Sequence, residues 1–388
     1  MDVAERTKKI KYAIRDVVIE AQKLEKQGHK IIYLNIGDPL KYDFSTPKHM
    51  IKAVEHNWDK SSSYADSIGL KEARQAIARE GERLGIHGVD WEDVIMTSGG
   101  SEGITMAIGA LMNKGENILI PNPGYPLYNA VVNYLQGEIN TYNLDENNDW
   151  QPDIEDIKRK INDKTKAIVL INPNNPTGAL YTKETLLKII EIAKQNNLMI
   201  FSDETYDKIL LDGDEFYSVG SLTNEVPVVV FNTLSKNYLC PGWRMGWIIF
   251  STCPDEYVEA VKKLARARLS ISHPMQYAVQ PALDGNQNHI KEMNDKLRKR
   301  RDIIYDRLNK IDGISCVKPK GAFYAFPKIE IKDDKEFVLD FLRKEKVLFV
   351  YGSGFGMQGY FRVVFAASDE ALNEAMDRLE RYMEELNN

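Results

Sequence analysis

Between positions 46 and 284 the chain alternates short apolar runs with amphipathic stretches, and that alternation limits its fold more than any other feature. The runs are DVIMT (93–97), NILIP (117–121), AIVLIN (167–172), LMIFSD (198–203), VVVFN (228–232) and GWIIF (246–250). Their length and β-branched content suit buried strands, and the helical segments between most of them predict a mainly parallel, doubly wound α/β sheet. Ahead of this region a helix is expected over 6–27, with Ile10, Ile14, Val17, Ala21 and Leu24 on one face and Gly28 as its stop. A short strand follows in KIIYLNIG (30–37), then a turn at Asp38-Pro39. Beyond the region, Ile290, Met293, Leu297, Ile304 and Leu308 keep helical spacing over 288–310, with Gly313 past the end. The remainder reads as a small α+β unit: strands near 323–326, 347–351 and 361–365, and a last helix over 370–386. The expected division is a large domain over 46–287 and a small domain built from 1–45 and 288–388.

Composition narrows the function. Charged residues make up 28% of the 388, but the net charge of −6 is mild, so there is no electrostatic case for nucleic acid or an anionic membrane. Cys240, Cys253 and Cys316 are too scattered for a metal cluster and too few for a disulfide framework, so no metal is expected. A reducing cytoplasm is the expected location. The segment MDVAERTKKIKYAIRD has no apolar core of an export signal, and no apolar run approaches the roughly 18 residues of a membrane span.

In open α/β sheets ligands sit at the carboxyl ends of the strands, and polar residues gather there. TSGGSEG (97–103) joins a strand end to an apolar helix through Gly99 and Gly100. Ser101 is a candidate cap, and the free amides of such a turn suit a phosphate. A plain capped turn is the bland alternative. A dinucleotide fingerprint fails because Ser98 replaces its first glycine, and a P-loop fails because no G-K-[ST] follows. Asn175 leaves a buried strand in INPNNPTGALY, and Asp203 ends LMIFSD with Tyr206 three residues on. Asp203 reads either as a helix cap or as a buried carboxylate holding a proton on a heteroaromatic nitrogen. Lys236 follows VVVFN in NTLSKNYLCPGWRMGW. With its stem against Leu234 and Trp243 and with Arg244 nearby, its ammonium form is disfavoured, which suits an amine that condenses with an aldehyde.

These residues resemble the class I and II aminotransferases, pyridoxal 5'-phosphate enzymes of fold type I. The match runs in order through Tyr64 with Gly69 and Leu70, the SGGSEG turn, Tyr125, Asn175-Pro176-Thr177-Gly178, Asp203 with Tyr206, Thr233-x-Ser235-Lys236, Arg244 and Arg362. The strings YAIRDVV, LNIGDP, INPNNPTGALY, KGAFYAFPKIE and VLFVYGSGFG make it most similar to the alanine aminotransferases of archaeal and bacterial type. The resemblance implies that Lys236 bonds the cofactor aldehyde and later moves the substrate α-proton. It implies Asp203 at the pyridine nitrogen, Tyr206 and Asn175 at the ring oxygen, and Tyr125 stacked on the ring. Gly100, Ser101, the Glu102 amide, Thr233, Ser235 and Arg244 would hold the phosphate, with Tyr64 reaching it from the other subunit of a homodimer. Arg362 would clamp the substrate α-carboxylate, and Gly37 would close over the amino acid.

Substrate choice is carried by no motif. Arg15 interrupts the apolar run YAIRDVVI, a costly place for an unpaired charge. With Tyr12 it is the candidate for the side-chain carboxylate of glutamate or 2-oxoglutarate, against a salt bridge to Asp16 or another carboxylate. Arg268 is a second candidate. The expected reaction passes an amino group between L-alanine and 2-oxoglutarate. The alternatives are an aspartate or broad-range aminotransferase and a C–S lyase using the same cofactor. A transcriptional regulator on this scaffold would need a DNA-binding module, and 1–45 shows neither a helix-turn-helix pattern nor a basic patch.

Overall fold

The computed structural model describes residues 2–10 and 12–387, with the side chain of Asp16 set aside. A two-residue strand, β1 (Ile32–Tyr33), comes first. The apolar runs then build an eight-stranded sheet from β2 (Ile95–Ser98), β3 (Asn117–Asn122), β4 (Asn140–Asp145), β5 (Gln151–Pro152), β6 (Thr165–Ile171), β7 (Met199–Asp203), β8 (Val228–Thr233) and β9 (Met245–Ser251). Its order is β2-β9-β8-β7-β6-β3-β4-β5. The middle is parallel, from β8 through β7, β6 and β3 to β4. β9 runs antiparallel to both its neighbours. The reason is the short connection 234–244, which leaves no room for a crossover helix. The chain therefore turns back at the carboxyl edge of β8, and that turn carries Lys236 and Arg244. β4 and β5 were not expected. NTYNLD is mostly polar, and only Tyr142 and Leu144 of it are buried, as suits a strand near a sheet margin.

The chain ends meet in small sheets. β1 pairs in parallel with β13 (Val347–Leu348). β11 (Tyr324–Ala325), β15 (Phe361–Val364) and β14 (Val350–Tyr351) form an antiparallel sheet in that order, and β10 (Ile314–Ser315) pairs with β12 (Lys328–Ile329). The expected strand 347–351 is thus two strands in different sheets, and 30–37 keeps only two residues of ladder. The expected first helix is also two, Glu5–Lys8 and Ala13–Lys26. Ile14, Val17 and Ala21 are buried as expected, while Ile10 is exposed, because the helix has ended before it.

The long helix Asn288–Leu308 buries two arginines, and buried guanidinium groups need partners. Arg301 grips Asp212 through both terminal nitrogens at 2.6 and 2.7 Å. Arg300 bridges Asp43 at 2.7 Å and Asp369 at 3.0 Å. These pairs tie the helix to the loop after β7, to the N-terminal segment and to the last helix, Asp369–Asn387.

β15 delivers Arg362 by alternation: Phe361 and Val363 face the aromatic core, so Arg362 faces away. Phe361 is fully buried against the rings of Phe337 and Phe349, at 5.6 and 5.0 Å between centroids. Phe361→Ala is expected to cost about 3–5 kcal/mol of stability by urea unfolding. A loss under about 1 kcal/mol would mean that this core does not anchor the strand.

Candidate active site

A cavity of about 590 Å³ opens at the carboxyl edge of the large sheet, roofed by residues of both chain ends. Lys236 enters from the short helix Leu234–Asn237, directly after β8. Its Nζ donates to the Gly37 carbonyl at 2.5 Å and stands 5.7 Å from the centre of the Phe323 ring. Burial lowers its pKa from 10.5 to about 8. Arg362, Arg244 and Arg15 push the same way, and Asp38 opposes them. Arg244 thus acts as expected from the sequence, with two further arginines that sequence proximity could not reveal.

Asp203 closes β7 at the cavity floor. Its Oδ1 accepts from the Thr205 hydroxyl at 2.7 Å, and its Oδ2 accepts from Tyr128 at 3.2 Å. Burial raises its pKa, and these hydrogen bonds work against that rise by favouring the anion. Tyr206 shares a hydrogen bond of 2.7 Å with Tyr324. Tyr125 precedes the helix Pro126–Tyr134 and meets Tyr12 hydroxyl to hydroxyl at 2.7 Å, with the rings edge to face.

The glycine turn differs in detail from its expected form. The helix begins at Gly99, so Ser101 lies inside its first turn and Ser98 is the cap residue. The Ser98 amide donates to the Glu102 carboxylate at 2.7 Å, and the Gly99 amide donates to the Arg244 carbonyl at 2.8 Å. The amides of Gly100 and Ser101 remain for a ligand. Glu102 is the fourth helical residue, where its amide joins the helix ladder, and it does not line the cavity. Gly99 also makes room for Arg244: with φ at +69°, a Cβ there would stand 2.2 Å from the Arg244 Nη2. Thr233 and Ser235 line the same end. The Thr233 hydroxyl donates to the Met245 carbonyl at 2.6 Å, so in its 2.8 Å contact with Ser235 it is the acceptor. The Ser235 hydroxyl is therefore the donor in that contact, and its own lone pairs stay open among the described residues.

Arg362 is fully buried, with its guanidinium between the rings of Tyr324 and Phe355 at 4.4 and 4.7 Å. Nη1 donates to Asn175 Oδ1 at 2.7 Å and Nη2 to the Asn35 carbonyl at 2.5 Å, while Nε has no partner among the described residues. A buried unpaired donor on a charged group is costly, and a ligand carboxylate would satisfy it. Arg15 and Tyr12 also line the cavity, and no carboxylate among the described residues pairs with Arg15. The alternative partner, Asp16, has its side chain outside the described set. Arg268 lies elsewhere: it pairs with Glu102 at 2.9 Å and donates to the Ser67 carbonyl at 2.7 Å, away from the cavity lining. Tyr64 is 77% exposed and is not part of the lining.

The family described as aminotransferase class I and II matches residues 29–379. The chain belongs to that family. It is 45% identical to the glutamate-pyruvate aminotransferase AlaA of Haemophilus influenzae, covering 94% of this chain and 93% of the other. Identity to the alanine aminotransferase of Mycobacterium tuberculosis is 39%, over 96% and 90% of the two chains. The solved alanine aminotransferase of Pyrococcus furiosus superposes with a TM-score of 0.95 at 48% identity, over 99% of this chain and 100% of that one.

In this aminotransferase the cavity also holds residues that motif reading passed over. Tyr324 sits inside KGAFYAFPKIE and Asp38 inside LNIGDP, strings that carried a resemblance but no assigned chemistry. Tyr128, which donates to Asp203 from outside the lining, carries no motif at all.

The lowered Lys236 pKa gives a signed expectation. The folded value lies below the unfolded one, so the cost of burying the charge is fully present below about pH 8 and fades as pH rises toward 10.5. Reductive methylation of protein stripped of bound small molecules, read by peptide mass, should show labelling of Lys236 half-maximal at about pH 8. A profile matching exposed lysines would refute the shift.

Proposed function

We propose that this aminotransferase works with pyridoxal 5'-phosphate and moves an amino group between L-alanine and 2-oxoglutarate, yielding pyruvate and L-glutamate. The observation that carries this reading is one cavity holding the Lys236 amine, the Asp203 carboxylate and the incompletely paired Arg362. The relatives named above support the substrate pair.

The residues present fit the cofactor. Lys236 would hold its aldehyde carbon and Asp203 its ring nitrogen. Tyr206 and Asn175 would meet the ring oxygen, and Tyr125 would lie against the ring. Gly100, Ser101, Ser235 and Arg244 would hold the phosphate, with Thr233 bracing Ser235 and Tyr64 of a second copy completing the cradle. The Glu102 amide is set aside because it joins the helix ladder. Bound there, the cofactor supplies an aldehyde that takes up the amino group and a ring that accepts electrons from the substrate α-carbon. The protein's own part is positional. Arg362 takes the α-carboxylate through Nε and its remaining Nη hydrogens, which fixes the α-carbon over the site. Lys236 Nζ, neutral above about pH 8, moves the α-proton. Gly37, Asp38 and Tyr12 limit access of water from the N-terminal side. We further propose that the cavity opens and closes between the two domains divided near 45/46 and 287/288, with a homodimer as the working unit.

Arg15 is assigned the side-chain carboxylate of the longer substrate, since it lines the cavity with no carboxylate partner among the described residues. Arg15→Ala should raise KM for glutamate about 10-fold or more, the scale of one charge-assisted contact, while leaving KM for alanine within about 2-fold. Equal losses for both would remove the assignment.

The reaction itself is tested by mixing the yellow protein with single amino acids and following absorbance at roughly 360–430 nm, where a lysine-bound pyridoxal absorbs. Bleaching by alanine and glutamate is the expected result. Bleaching by aspartate would shift the reading to an aspartate or broad-range enzyme, and ammonia release would indicate a C–S lyase.

A further inference from the structure

Tyr324 is buried in the cavity wall, yet nothing above assigns it a part in the chemistry. It stands on β11, paired through Val364 with the strand that carries Arg362. Three neighbours fix its ring and oxygen. The Arg362 guanidinium lies over the ring at 4.4 Å, the Tyr206 oxygen is 2.7 Å from its own, and a Cβ on Gly37 would stand 2.3 Å from that oxygen. Gly37 is therefore what allows the phenol oxygen to reach Tyr206.

By distance alone either hydroxyl could donate in this pair. Arg362 breaks the symmetry. A cation over the π face draws electron density from the Tyr324 ring and makes its hydroxyl the stronger donor. Among the described residues Tyr206 has no cation over it, and it meets the Phe323 and Tyr324 rings edge to face, at 5.5 and 5.6 Å. The titration directions agree. Burial pushes both phenols up and Arg362 lowers both, but it comes first after burial at Tyr324, where Tyr206 also lowers, and only after the Tyr324 contributions, which raise, at Tyr206. The other titratable groups acting on the pair are Asp203, Tyr12 and Tyr125.

We propose that Tyr324 is a positioning residue for Tyr206: it donates to the Tyr206 oxygen, turns the Tyr206 hydrogen into the cavity, and strengthens Tyr206 as a donor to the ring oxygen of the bound cofactor. Hydrogen bonds in series polarise one another, so the middle hydroxyl becomes the better donor. The inference rests on the pyridoxal-phosphate reading above. Its consequence is electronic, because a donor to the ring oxygen favours that oxygen's anionic form and lowers the pH at which the bound chromophore changes colour.

The test is a pH titration of the visible absorption of the holoenzyme in wild type, Tyr324→Phe, Gly37→Ala, Tyr206→Phe and the double variant Tyr206→Phe/Tyr324→Phe. Tyr206→Phe should raise the apparent pKa of the chromophore most. Tyr324→Phe should raise it by a smaller amount, Gly37→Ala should follow it in sign, and the double variant should match Tyr206→Phe alone. A packing role for Tyr324 would leave its titration on the wild-type curve, and that result with Tyr206→Phe shifted overturns the proposal. If Tyr206→Phe is itself silent, the proposal falls together with the placing of Tyr206 at the ring oxygen. Thermal melting of Tyr324→Phe at the wild-type temperature would exclude misfolding as the source of a shift.

Discussion

The cavity is built around an excess of positive charge, with Arg362 buried, Lys236 half-buried, and Arg244 and Arg15 exposed at its mouth. Lys236, Arg362, Arg244 and Arg15 face it, against the carboxylates of Asp38 and Asp203. Cations in a partly desolvated space repel one another and lose hydration, so the arrangement is stable only with compensation. Some is internal, as in the Asn175, Asn35, Tyr324 and Phe355 contacts of Arg362. The remainder is suited to anions from outside. A phosphate at the Gly100–Ser101 turn and a carboxylate at Arg362 would supply it at opposite ends of one molecule-sized space. Burial is the first cause of the lowered Lys236 pKa and the neighbouring arginines add to it, so anion binding and amine reactivity share part of their origin.

The backbone that collects these charges follows from one local choice. Had 234–244 been long enough for a crossover helix, β9 would have run parallel and Arg244 would have emerged at the wrong edge of the sheet. The short return puts Lys236 and Arg244 beside each other, and Gly99 and Gly246 admit the arginine and its strand against the helix start. Asp203 then needs only the register of β7, where it pairs with Ile171 and Phe231, to reach the same level.

How much of this was legible depended on the range of the interaction. Strands β2, β3, β6, β7, β8 and β9 and the long helix could be read because their patterning is local and repeated. The ordered motif residues could be read as a resemblance, and most of them do line one cavity. The direction of β9, the splitting of 347–351 and the break ahead of Tyr12 are set by tertiary partners, which periodicity does not encode. Arg268 stood as a second, weaker candidate beside Arg15 because both are arginines among apolar residues. The Glu102 and Ser67 contacts, both far away in sequence, hold Arg268 outside the cavity and so separate them. Tyr324 was hidden for the opposite reason, since an aromatic residue in a short apolar strand looks like core.

The assembly also explains why no single segment could serve as the site. The middle of the chain brings Lys236, Asp203, Asn175 and the anion turn. Tyr12, Arg15 and Gly37 come from before the large sheet, and Tyr324 and Arg362 come from after it. β1 against β13 and the Arg300 bridge between Asp43 and Asp369 join those outer parts. The Lys236–Gly37 and Tyr206–Tyr324 hydrogen bonds then connect them to the middle. Loss of any one joint displaces groups that act on the others electrostatically. The chemistry is therefore a property of the closed fold, and Tyr12 and Arg15, which reach the cavity from outside the large sheet, are where a change of substrate costs the scaffold least.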